Sequence, residues 1–315
     1  MTILISAANS DIADSLCRIY RSEYPREKIY GVAPDGMWPA SAVFDKVYKI
    51  AKVDDPEYLK MLFAILVSES IDIFVPVSEH ELRFFAKNVI SWPSKVKILI
   101  NPQSILSVCL NKMHTVHWLD KIGVKSPQTI QLDQVNSGHL PIFVKPKESA
   151  GSKYSYTVHT WEYFNVLIKE LQYLGIKLED MIAQSYLTNL EEEYTCALSK
   201  INGQESYLIL KRKLLGGITG KAETSQHPGI IRILKKISNA FKGDFFINVQ
   251  LRLEKDEPFV FEINPRFSST VMLRHLIGFQ DFLEHIKFLK GGILPVPNYN
   301  INEKQMFRIF REVIV

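Results

Sequence analysis

Two neighbouring segments of the sequence carry side chains of the kind that bind hard metal ions. Residues 246–252 and 259–266 alternate apolar and polar residues with period two, which is typical of half-buried β-strands. The residues between them are turn formers, so the pattern predicts a β-hairpin. If the hairpin turns about Asp256, Gln250 lies opposite Glu262, and such opposed side chains are roughly 5 Å apart.

The polar face of this hairpin predicts a magnesium site. The same register places Asn248 opposite Asn264, which shares its face with Glu262 because the two are two residues apart. A carboxylate flanked by carboxamide oxygens suits Mg2+, which prefers oxygen ligands and often accompanies phosphates. Arg266 follows where Pro265 ends the strand, and its guanidinium can bind an anion. An ordinary hairpin with a solvated polar face fits the spacing alone equally well.

The composition is that of an ordinary globular protein with two or three subdomains. The chain has 315 residues, of which 46% are hydrophobic and 23% are charged. The net charge of +4 is too small to indicate nucleic-acid binding. Three distant cysteines, Cys17, Cys109 and Cys196, predict buried free thiols in a reducing cytoplasm. No secretory signal and no membrane span are expected, because no apolar segment is long enough.

The first hundred residues alternate short apolar runs with helical patterns. Strands are predicted at 2–6, 28–32, 46–50, 72–77 and 96–100, and helices at 11–20, 56–68 and 78–87. Strands separated by helices indicate a parallel sheet, whose ligands bind beyond the carboxyl ends of the strands. Residues 6–9 and 78–81 fall at that edge. Glu79 and Glu81 are expected to be exposed carboxylates at a helix start, and binding of a cationic substrate group is the rarer alternative.

The middle of the chain contains segments suited to phosphate. A helix is predicted from Lys112 to Ile122, and a strand at 141–146 carries Lys145 into the small-residue loop 149–154. Loop amides can point at phosphate oxygens while a lysine supplies compact positive charge, although many surface hairpins share this composition. A further strand is predicted at 181–187.

The basic residues 211–213 end a predicted strand and favour an anion site at least as much as a solvated strand end.

Several common catalytic motifs are missing. Residues 216–221 are not a Walker loop, because the glycine spacing is one short and no Ser or Thr follows Lys221. No GxGxxG follows the first strand, so a tightly bound dinucleotide is not expected. His114 and His117 have no third ligand nearby in sequence, which argues against zinc.

Together these segments resemble the ATP-grasp superfamily, most closely the ATP-binding halves of the carbamoyl phosphate synthase large chain and related stand-alone ligases. The resemblance spans residues 111–278 and is strongest from residue 216 onward. It rests on the order of the motif residues along the chain: Lys112, Lys145, a small-residue loop, Glu193, a basic strand end, Gln250, Glu262 and Asn264.

The resemblance implies an ATP-grasp fold of mixed α/β and α+β class. An N-terminal parallel-sheet domain is expected at 1–110, a small lid at 111–187 and a C-terminal antiparallel-sheet domain at 188–315. The implied function is an ATP-dependent ligase that activates a small-molecule carboxylate as an acyl phosphate for attack by an amine. A carbamoyl-phosphate-type or other phosphoryl-transfer enzyme and a non-catalytic nucleotide-binding regulator are the alternatives. The expected protein is cytoplasmic, binds neither nucleic acid nor membrane, and could form a homodimer.

The resemblance also implies roles for individual residues in binding ATP. The phosphate ligands are expected to be Lys112 and Lys145, covered by a loop that includes Ser149, Gly151 and Ser152. The adenine hinge is expected at Gln184, Tyr186 and Leu187, and the ribose carboxylate is Glu193. In two places the loop departs from the usual pattern, because Ser149 and Tyr154 stand where glycine is common. Ser185 likewise replaces a frequent glutamate beside the hinge.

Two metal ions, Mg2+ or Mn2+, complete the implied site. Their expected ligands are Gln250, Glu262 and Asn264, with Glu262 bridging the ions. Arg266, together with Lys211 or Arg212, is expected to stabilise the transferred phosphoryl group.

Overall fold

The computed structural model of the chain describes residues 1–34, 42–149, 153–292 and 303–309. Its N-terminal strands are β1 (Thr2–Ile5), β2 (Lys28–Ala33), β3 (Lys46–Lys49), β4 (Ile73–Val75) and β5 (Lys97–Ile98). They form one sheet in the order β3-β2-β1-β4-β5, and all neighbouring pairs are parallel. The helices between and after them are α1 (Asp11–Glu23), α2 (Tyr58–Ser68), α3 (Glu79–Lys87) and α4 (Gln103–Cys109). The parallel sheet predicted from the alternation is confirmed.

This first sheet is buried on both faces. Ile3 and Ile5 of β1 belong to a core that contains α1, whereas Leu4 belongs to the core that contains α2 and α3. Successive side chains of a strand point to opposite faces, so a strand covered on both sides is apolar throughout. Residues of the C-terminal part, including Phe267 and Phe282, join the α1 core. The first sheet is therefore packed directly against the part of the chain that carries the hairpin predicted at residues 246–266.

A second sheet occupies the middle of the chain. Helix α5 (Lys112–Lys121) precedes its strands β6 (Thr129–Gln131), β7 (Ile142–Pro146), β8 (Tyr156–Val158) and β9 (Met181–Ser185), and α6 (Trp161–Tyr173) crosses between the last two. The order is β6-β9-β7-β8, with antiparallel pairs. Leu119 of α5 packs into the core of the C-terminal sheet, not into this one. The lid boundary at residue 111 stays a prediction.

The C-terminal part forms an antiparallel sheet of six strands. Its elements are β10 (Glu193–Ile201), β11 (Gln204–Leu215), β12 (Ile218–Ser225), α7 (Pro228–Ala240), β13 (Phe245–Glu254), β14 (Glu257–Asn264), α8 (Val271–Leu276), α9 (Asp281–Leu289) and β15 (Gln305–Phe307). The strand order is β14-β13-β10-β11-β12-β15. The largely apolar residues 306–315 predict a closing strand or helix without a chemical role; β15 is a strand, and residues 310–315 lie outside the described residues.

The hairpin of β13 and β14 has the cross-strand pairs predicted from its sequence. Asn248 pairs with Asn264 and Gln250 with Glu262. The turn itself consists of Lys255 and Asp256, both with positive φ (50° and 68°), as in a two-residue hairpin turn of type I′. The register shifts between Gln250 and Leu251, as in a β-bulge, and this shift restores the predicted pairs at the far end of the hairpin.

The buried side chain of Asn101 fastens this hairpin to the first sheet. Its Nδ2 donates to the carbonyl oxygens of Phe246 at 2.8 Å and Pro265 at 2.9 Å, and its Oδ1 accepts from the Phe246 N–H at 2.9 Å. Replacing Asn101 with leucine should lower the free energy of unfolding by about 2–4 kcal/mol, because buried backbone groups lose their partners. Urea denaturation measures this. The exposed Asn88, replaced by alanine, is the control and should change stability by less than about 0.5 kcal/mol.

Cys17, Cys109 and Cys196 are all buried free thiols, as predicted. Within the described ranges, no helix has both the length and the apolar character needed to cross a bilayer.

Candidate active site

A cavity of about 510 Å³ lies where the three sheets meet. All three parts of the chain contribute to its wall, so it forms only when they are folded together. Most of the polar residues predicted for the site line this cavity: Lys112, Lys145, Ser149, Gln184, Tyr186, Glu193, Arg212, Gln250, Glu262, Asn264 and Arg266. Leu187 also lines it. The structure therefore brings most of the predicted site residues, which span 155 positions of the sequence from Lys112 to Arg266, into one cavity.

The oxygen donors of the hairpin face this cavity. Gln250 and Glu262 are directly opposed, and Asn264 lies two residues further along the strand from Glu262. The Oε1 of Gln250 also accepts from Arg212 Nη2 at 3.0 Å. Asn248, opposite Asn264, accepts from Thr195 Oγ1 at 2.9 Å, and its buried Nδ2 has no partner within the described residues. The side-chain oxygens of one carboxylate and two carboxamides are suitable ligands for Mg2+. No cluster of three His, Cys, Asp or Glu side chains occurs in the described ranges to compete as a metal site.

Two buried lysines face the Glu262 carboxylate. Lys112, the first residue of α5, has its Nζ 3.9 Å from Glu262 Oε1 and donates to Ser149 Oγ at 3.2 Å. Lys145, near the end of β7, donates to the Phe261 carbonyl at 3.3 Å. Phe261 is the residue left unpaired by the register shift, since Gln250 pairs with Glu262 and Leu251 with Val260. The bulge therefore frees the carbonyl that holds Lys145.

The lysines and Glu262 perturb one another's titration. Burial lowers the pKa of Lys145 from 10.5 to about 7; attraction by Glu262 opposes this, and repulsion by Lys112 and Arg252 reinforces it. Burial acts to raise the pKa of Glu262, but the positive charges of Lys112, Lys145, Arg266 and Arg212 outweigh it and lower the pKa. Glu262 is therefore ionised at neutral pH. The excess of cations around it prepares the cavity for a polyanion.

Glu193 is held between two guanidinium groups. Its Oε1 accepts from Arg212 Nε at 2.9 Å and Nη2 at 2.7 Å, and its Oε2 accepts from Arg252 Nε at 2.9 Å and Nη2 at 2.5 Å. Arg252 also donates to the Leu187 carbonyl at 3.0 Å. A ribose hydroxyl would have to share Glu193 with these groups. The ribose role of Glu193 stays a prediction.

Arg252 was given no role from the sequence, although a signal for it was present. It lies two residues after Gln250 in an alternating strand, so it shares the polar face of the hairpin. In the sheet it is directly opposite Glu193.

The basic residues of β11 point in different directions. Arg212 lines the cavity, whereas Lys211 lies opposite Tyr194 and its ammonium pairs with Glu192. Lys213 pairs with Glu191 at 2.6 Å near the surface. Lys211 and Arg212 were the two alternatives predicted to act with Arg266. Of the two, Arg212 is the one placed to bind an anion in the cavity. Lys211 is not part of the cavity wall, because neighbouring residues of a strand alternate between faces.

Arg266 is held by a carboxylate that the sequence suggested would be exposed. Glu79 is 6% exposed, and its Oε1 accepts from Arg266 Nη2 at 2.9 Å and Nε at 3.3 Å. Glu81 is buried as well, where the hydroxyls of Tyr58 and Ser6 donate to it. The expectation of two solvated helix-start carboxylates was therefore wrong. Periodicity could not reveal that Glu79 pairs with Arg266 of the C-terminal part, or that Glu81 is buried by contacts within the N-terminal part.

The predicted adenine hinge lies along one wall of the cavity. Gln184 is buried and donates from Nε2 to Thr129 Oγ1 at 3.0 Å. The N–H of Tyr186 donates to the Pro141 carbonyl at 3.1 Å, which leaves this amide engaged within the protein. Beside the hinge, the apolar side chains of Pro127, Phe143 and Leu190 complete a surface on which a planar base could stack.

The covering loop is described only at its two ends. Ser149 contacts Lys112, while Gly151 and Ser152 lie outside the described residues. Tyr154 has φ of 56°, a left-handed conformation that glycine adopts more easily. The backbone thus takes a glycine-like conformation at one of the two positions where glycine was expected.

Arg274 is a structural residue of α8, the helix that follows Arg266. Its guanidinium is 2% exposed, pairs with Asp281 at 2.6 Å and donates to Ser268 Oγ at 2.9 Å. From its position in the sequence Arg274 could bind a substrate carboxylate or form an internal ion pair, and the internal ion pair is the one observed.

This fold, with oxygen donors and lysines on opposite walls of one cavity, is the ATP-grasp fold. Residues 177–307 match the family model described as ATP-grasp in the biosynthetic pathway with Ter operon. Residues 3–96 match the PylC-like N-terminal domain. No curated protein sequence matches the chain.

Solved structures of ATP-grasp enzymes match nearly the whole chain. N5-carboxyaminoimidazole ribonucleotide synthetase from Thermus thermophilus is 13% identical over 98% of this chain and 82% of that chain, with a TM-score of 0.72. L-amino acid ligase from Bacillus licheniformis is 17% identical over 92% and 74%, with a TM-score of 0.69. Biotin carboxylase from Campylobacter jejuni is 14% identical over 93% and 72%, with a TM-score of 0.68. At these identities the likeness establishes the fold.

Proposed function

We propose that the protein is an ATP-dependent ligase that converts a small-molecule carboxylate into an acyl phosphate and joins it to an amine. The observation that carries this proposal is the cavity itself, where Glu262 and two carboxamides face Lys112, Lys145 and two arginines. An ordinary solvated hairpin would not have two buried lysines beside Glu262. The structural neighbours support the same chemistry, since they include an amino acid ligase, a carboxylase and a ribonucleotide synthetase.

The donor set fits Mg2+ or Mn2+. Gln250, Glu262 and Asn264 would hold two such ions, and Gln250 would share its oxygen with Arg212. Bound metal would neutralise triphosphate charge and polarise the phosphoryl oxygens. The biotin carboxylase domain of Hydrogenobacter thermophilus 2-oxoglutarate carboxylase has this fold and was solved with the magnesium salt of ADP, which supports metal-nucleotide binding here.

The remaining residues of the cavity have roles that follow from their charge and position. Lys112 and Lys145 bind nucleotide phosphates, the hinge from Gln184 to Leu187 binds the base, and Glu193 binds the ribose. The loop that includes Ser149, Gly151 and Ser152 covers the phosphates and excludes water, which protects an acyl phosphate from hydrolysis. A neighbour from Aspergillus clavatus, a carboxyaminoimidazole ribonucleotide synthase, was solved in complex with ATP.

Arg266 and Arg212 stabilise the phosphoryl group as it moves to the carboxylate. Glu79 holds the Arg266 guanidinium in place, and Glu193 and Gln250 hold that of Arg212. The two guanidinium groups therefore need little reorganisation during the reaction. No enzyme nucleophile is required, and the three cysteines are buried. A cytoplasmic location fits these free thiols, and a homodimer belongs to the same proposal, because the Hydrogenobacter domain is described as a dimer.

ADP release in mixtures of carboxylates and amines tests the proposal. The protein is incubated with ATP and Mg2+ and a panel of amino acids, other carboxylates and amines, each alone and in pairs. We expect ADP and phosphate to form over many turnovers only when a carboxylate and an amine are both present, because a carboxylate alone gives at most one acyl phosphate and one ADP per enzyme. Repeated turnover to ADP with a carboxylate alone would favour the phosphoryl-transfer alternative. Nucleotide binding without turnover in any mixture would favour the regulator.

A further inference from the structure

A row of paired charged side chains connects Arg266, in the cavity wall, with the residue before Ser149. Its members are Arg266, Glu79, Arg83 and Glu148. Arg266 donates to Glu79 Oε1, and the other oxygen of Glu79 accepts from Arg83 Nη2 at 3.0 Å. Arg83 Nε then lies 3.8 Å from Glu148 Oε2. Glu148 directly precedes Ser149, the residue that accepts from the Lys112 ammonium.

Helix α3 supplies the middle of this row. Glu79, Arg83 and Lys87 are four residues apart and therefore lie on one face of the helix. Lys87 Nζ is 3.6 Å from the same oxygen of Glu148 as Arg83 Nε. This face of α3 thus contacts Arg266 at one end and the start of the covering loop at the other.

Burial distinguishes this row from an ordinary surface ion pair. The side chains of Glu79 and Arg83 are 6% and 12% exposed, so solvent screens them weakly. The Glu79 carboxylate pairs with the guanidinium groups of both Arg83 and Arg266, so these three side chains carry a net charge of +1. Within this row, Glu148 is the other carboxylate that can balance that charge. Arg83 Nε is buried and has no hydrogen-bond partner within the described residues. A donor of this kind costs free energy unless an acceptor reaches it, and Glu148 Oε2 lies 3.8 Å away.

The segment that carries Glu148 is also tied to the phosphate-binding lysine. The backbone N–H of Lys112 donates to the Lys147 carbonyl at 3.0 Å, and Asn111 Nδ2 donates to Glu148 Oε1 at 3.3 Å. Two hydrogen bonds therefore join residues 147–149 to the start of α5. Any displacement of Glu148 relative to α3 changes the charge balance at Glu79, which holds Arg266.

We propose that Arg83 is a positioning residue that couples the phosphate-binding segment 147–149 to Arg266 through Glu79. This coupling rests on the proposed nucleotide site, and it gives the charged residues of α3 a role in that site. Arg83 touches no substrate. It acts by keeping Glu79 aligned on Arg266 while it holds Glu148 beside Lys112.

Nucleotide affinity in Arg83 and Glu148 variants tests this coupling. Calorimetry with Mg2+ compares AMP-PNP, which has the β- and γ-phosphates, with AMP, which lacks them. We expect Arg83→Gln and Glu148→Gln each to weaken AMP-PNP binding about 5- to 10-fold. The double variant should be no weaker than either single variant, because both break one coupling, and AMP affinity should not change. Arg83→Lys should recover part of the loss.

Arg18→Gln is the matched control. Arg18 also pairs with a carboxylate four residues away on a helix, Asp14 at 2.8 Å, but it does not line the cavity. If Arg83→Gln destabilises the fold, Glu148→Gln carries the test, since Glu148 is 37% exposed. Effects of Arg83→Gln equal to those of Arg18→Gln, or losses that multiply in the double variant, would overturn the coupling. Equal weakening of AMP and AMP-PNP would show a general structural role and overturn it as well. Absence of nucleotide binding by the wild-type protein would instead reject the proposed function, and the coupling with it.

Discussion

Replacing Glu262 with glutamine is expected to lower ATP-dependent turnover by at least about 10³-fold, which corresponds to roughly 4 kcal/mol of transition-state stabilisation. Glutamine keeps the size of the side chain but removes the only carboxylate in the predicted metal site. Without that charge, metal ions would be held by carboxamides alone, against the repulsion of Lys112 and Lys145. The measurement is the rate of ADP release with the carboxylate–amine pair that supports wild-type turnover.

Glu257→Gln is the control for that experiment. Glu257 begins the same strand, but it is half exposed and pairs with Lys125 at 2.6 Å. Its replacement should leave turnover within about twofold and stability within about 0.5 kcal/mol. Circular dichroism of both variants checks that the fold is kept. A folded Glu262→Gln variant that turns over at the wild-type rate would remove Glu262 from the mechanism.

The second large effect is a pH dependence of nucleotide binding that comes from Lys145. With a pKa of about 7, Lys145 is charged below neutral pH and loses its proton above it. Nucleotide phosphates favour the charged form, so affinity falls as the pH rises. From pH 7.5 to 8.5 the dissociation constant for ADP should rise by about 8-fold if only the protonated form binds. Calorimetry in EDTA measures this without the charge of a divalent cation.

Lys145→Arg separates this titration from that of the nucleotide. Arginine stays protonated throughout the pH range, so the affinity of this variant should be nearly independent of pH between 7.5 and 8.5. Binding by the wild-type protein should also take up a proton, and the observed heat should therefore vary with the ionisation enthalpy of the buffer. A wild-type affinity as flat as that of Lys145→Arg would show that Lys145 does not titrate near neutral pH or does not meet the phosphates.

The local patterns of the sequence predicted the elements that alternate strongly. Period-two alternation predicted the pairs Gln250–Glu262 and Asn248–Asn264, because register on a half-buried sheet is fixed by which face is apolar. The bulge at Phe261 was not predicted, although it decides where Lys145 is held. The bulge shifts the alternation of β14 by one position, and because residues 258–261 are all apolar, the sequence pattern does not locate the shift.

The contacts that the sequence did not reveal are those between distant elements. Asn101 reaches Phe246 and Pro265, more than 140 positions away, and Glu79 reaches Arg266 across 187 positions. Such contacts depend on how the first sheet packs against the third, which no local periodicity encodes. The same limit explains why Lys211 and Arg212 could not be separated before their strand was placed in the sheet.

The proposed mechanism depends above all on metal ions that Gln250, Glu262 and Asn264 hold against the phosphates of a nucleotide bound by Lys112 and Lys145. Anomalous diffraction from crystals grown with Mn2+ and AMP-PNP tests this most directly, because the anomalous signal identifies manganese by element. We expect manganese peaks within about 2.5 Å of Glu262 and Asn264 side-chain oxygens, with phosphate oxygens on their other side. Nucleotide phosphates bound elsewhere, or manganese found away from Glu262, would contradict the proposed site.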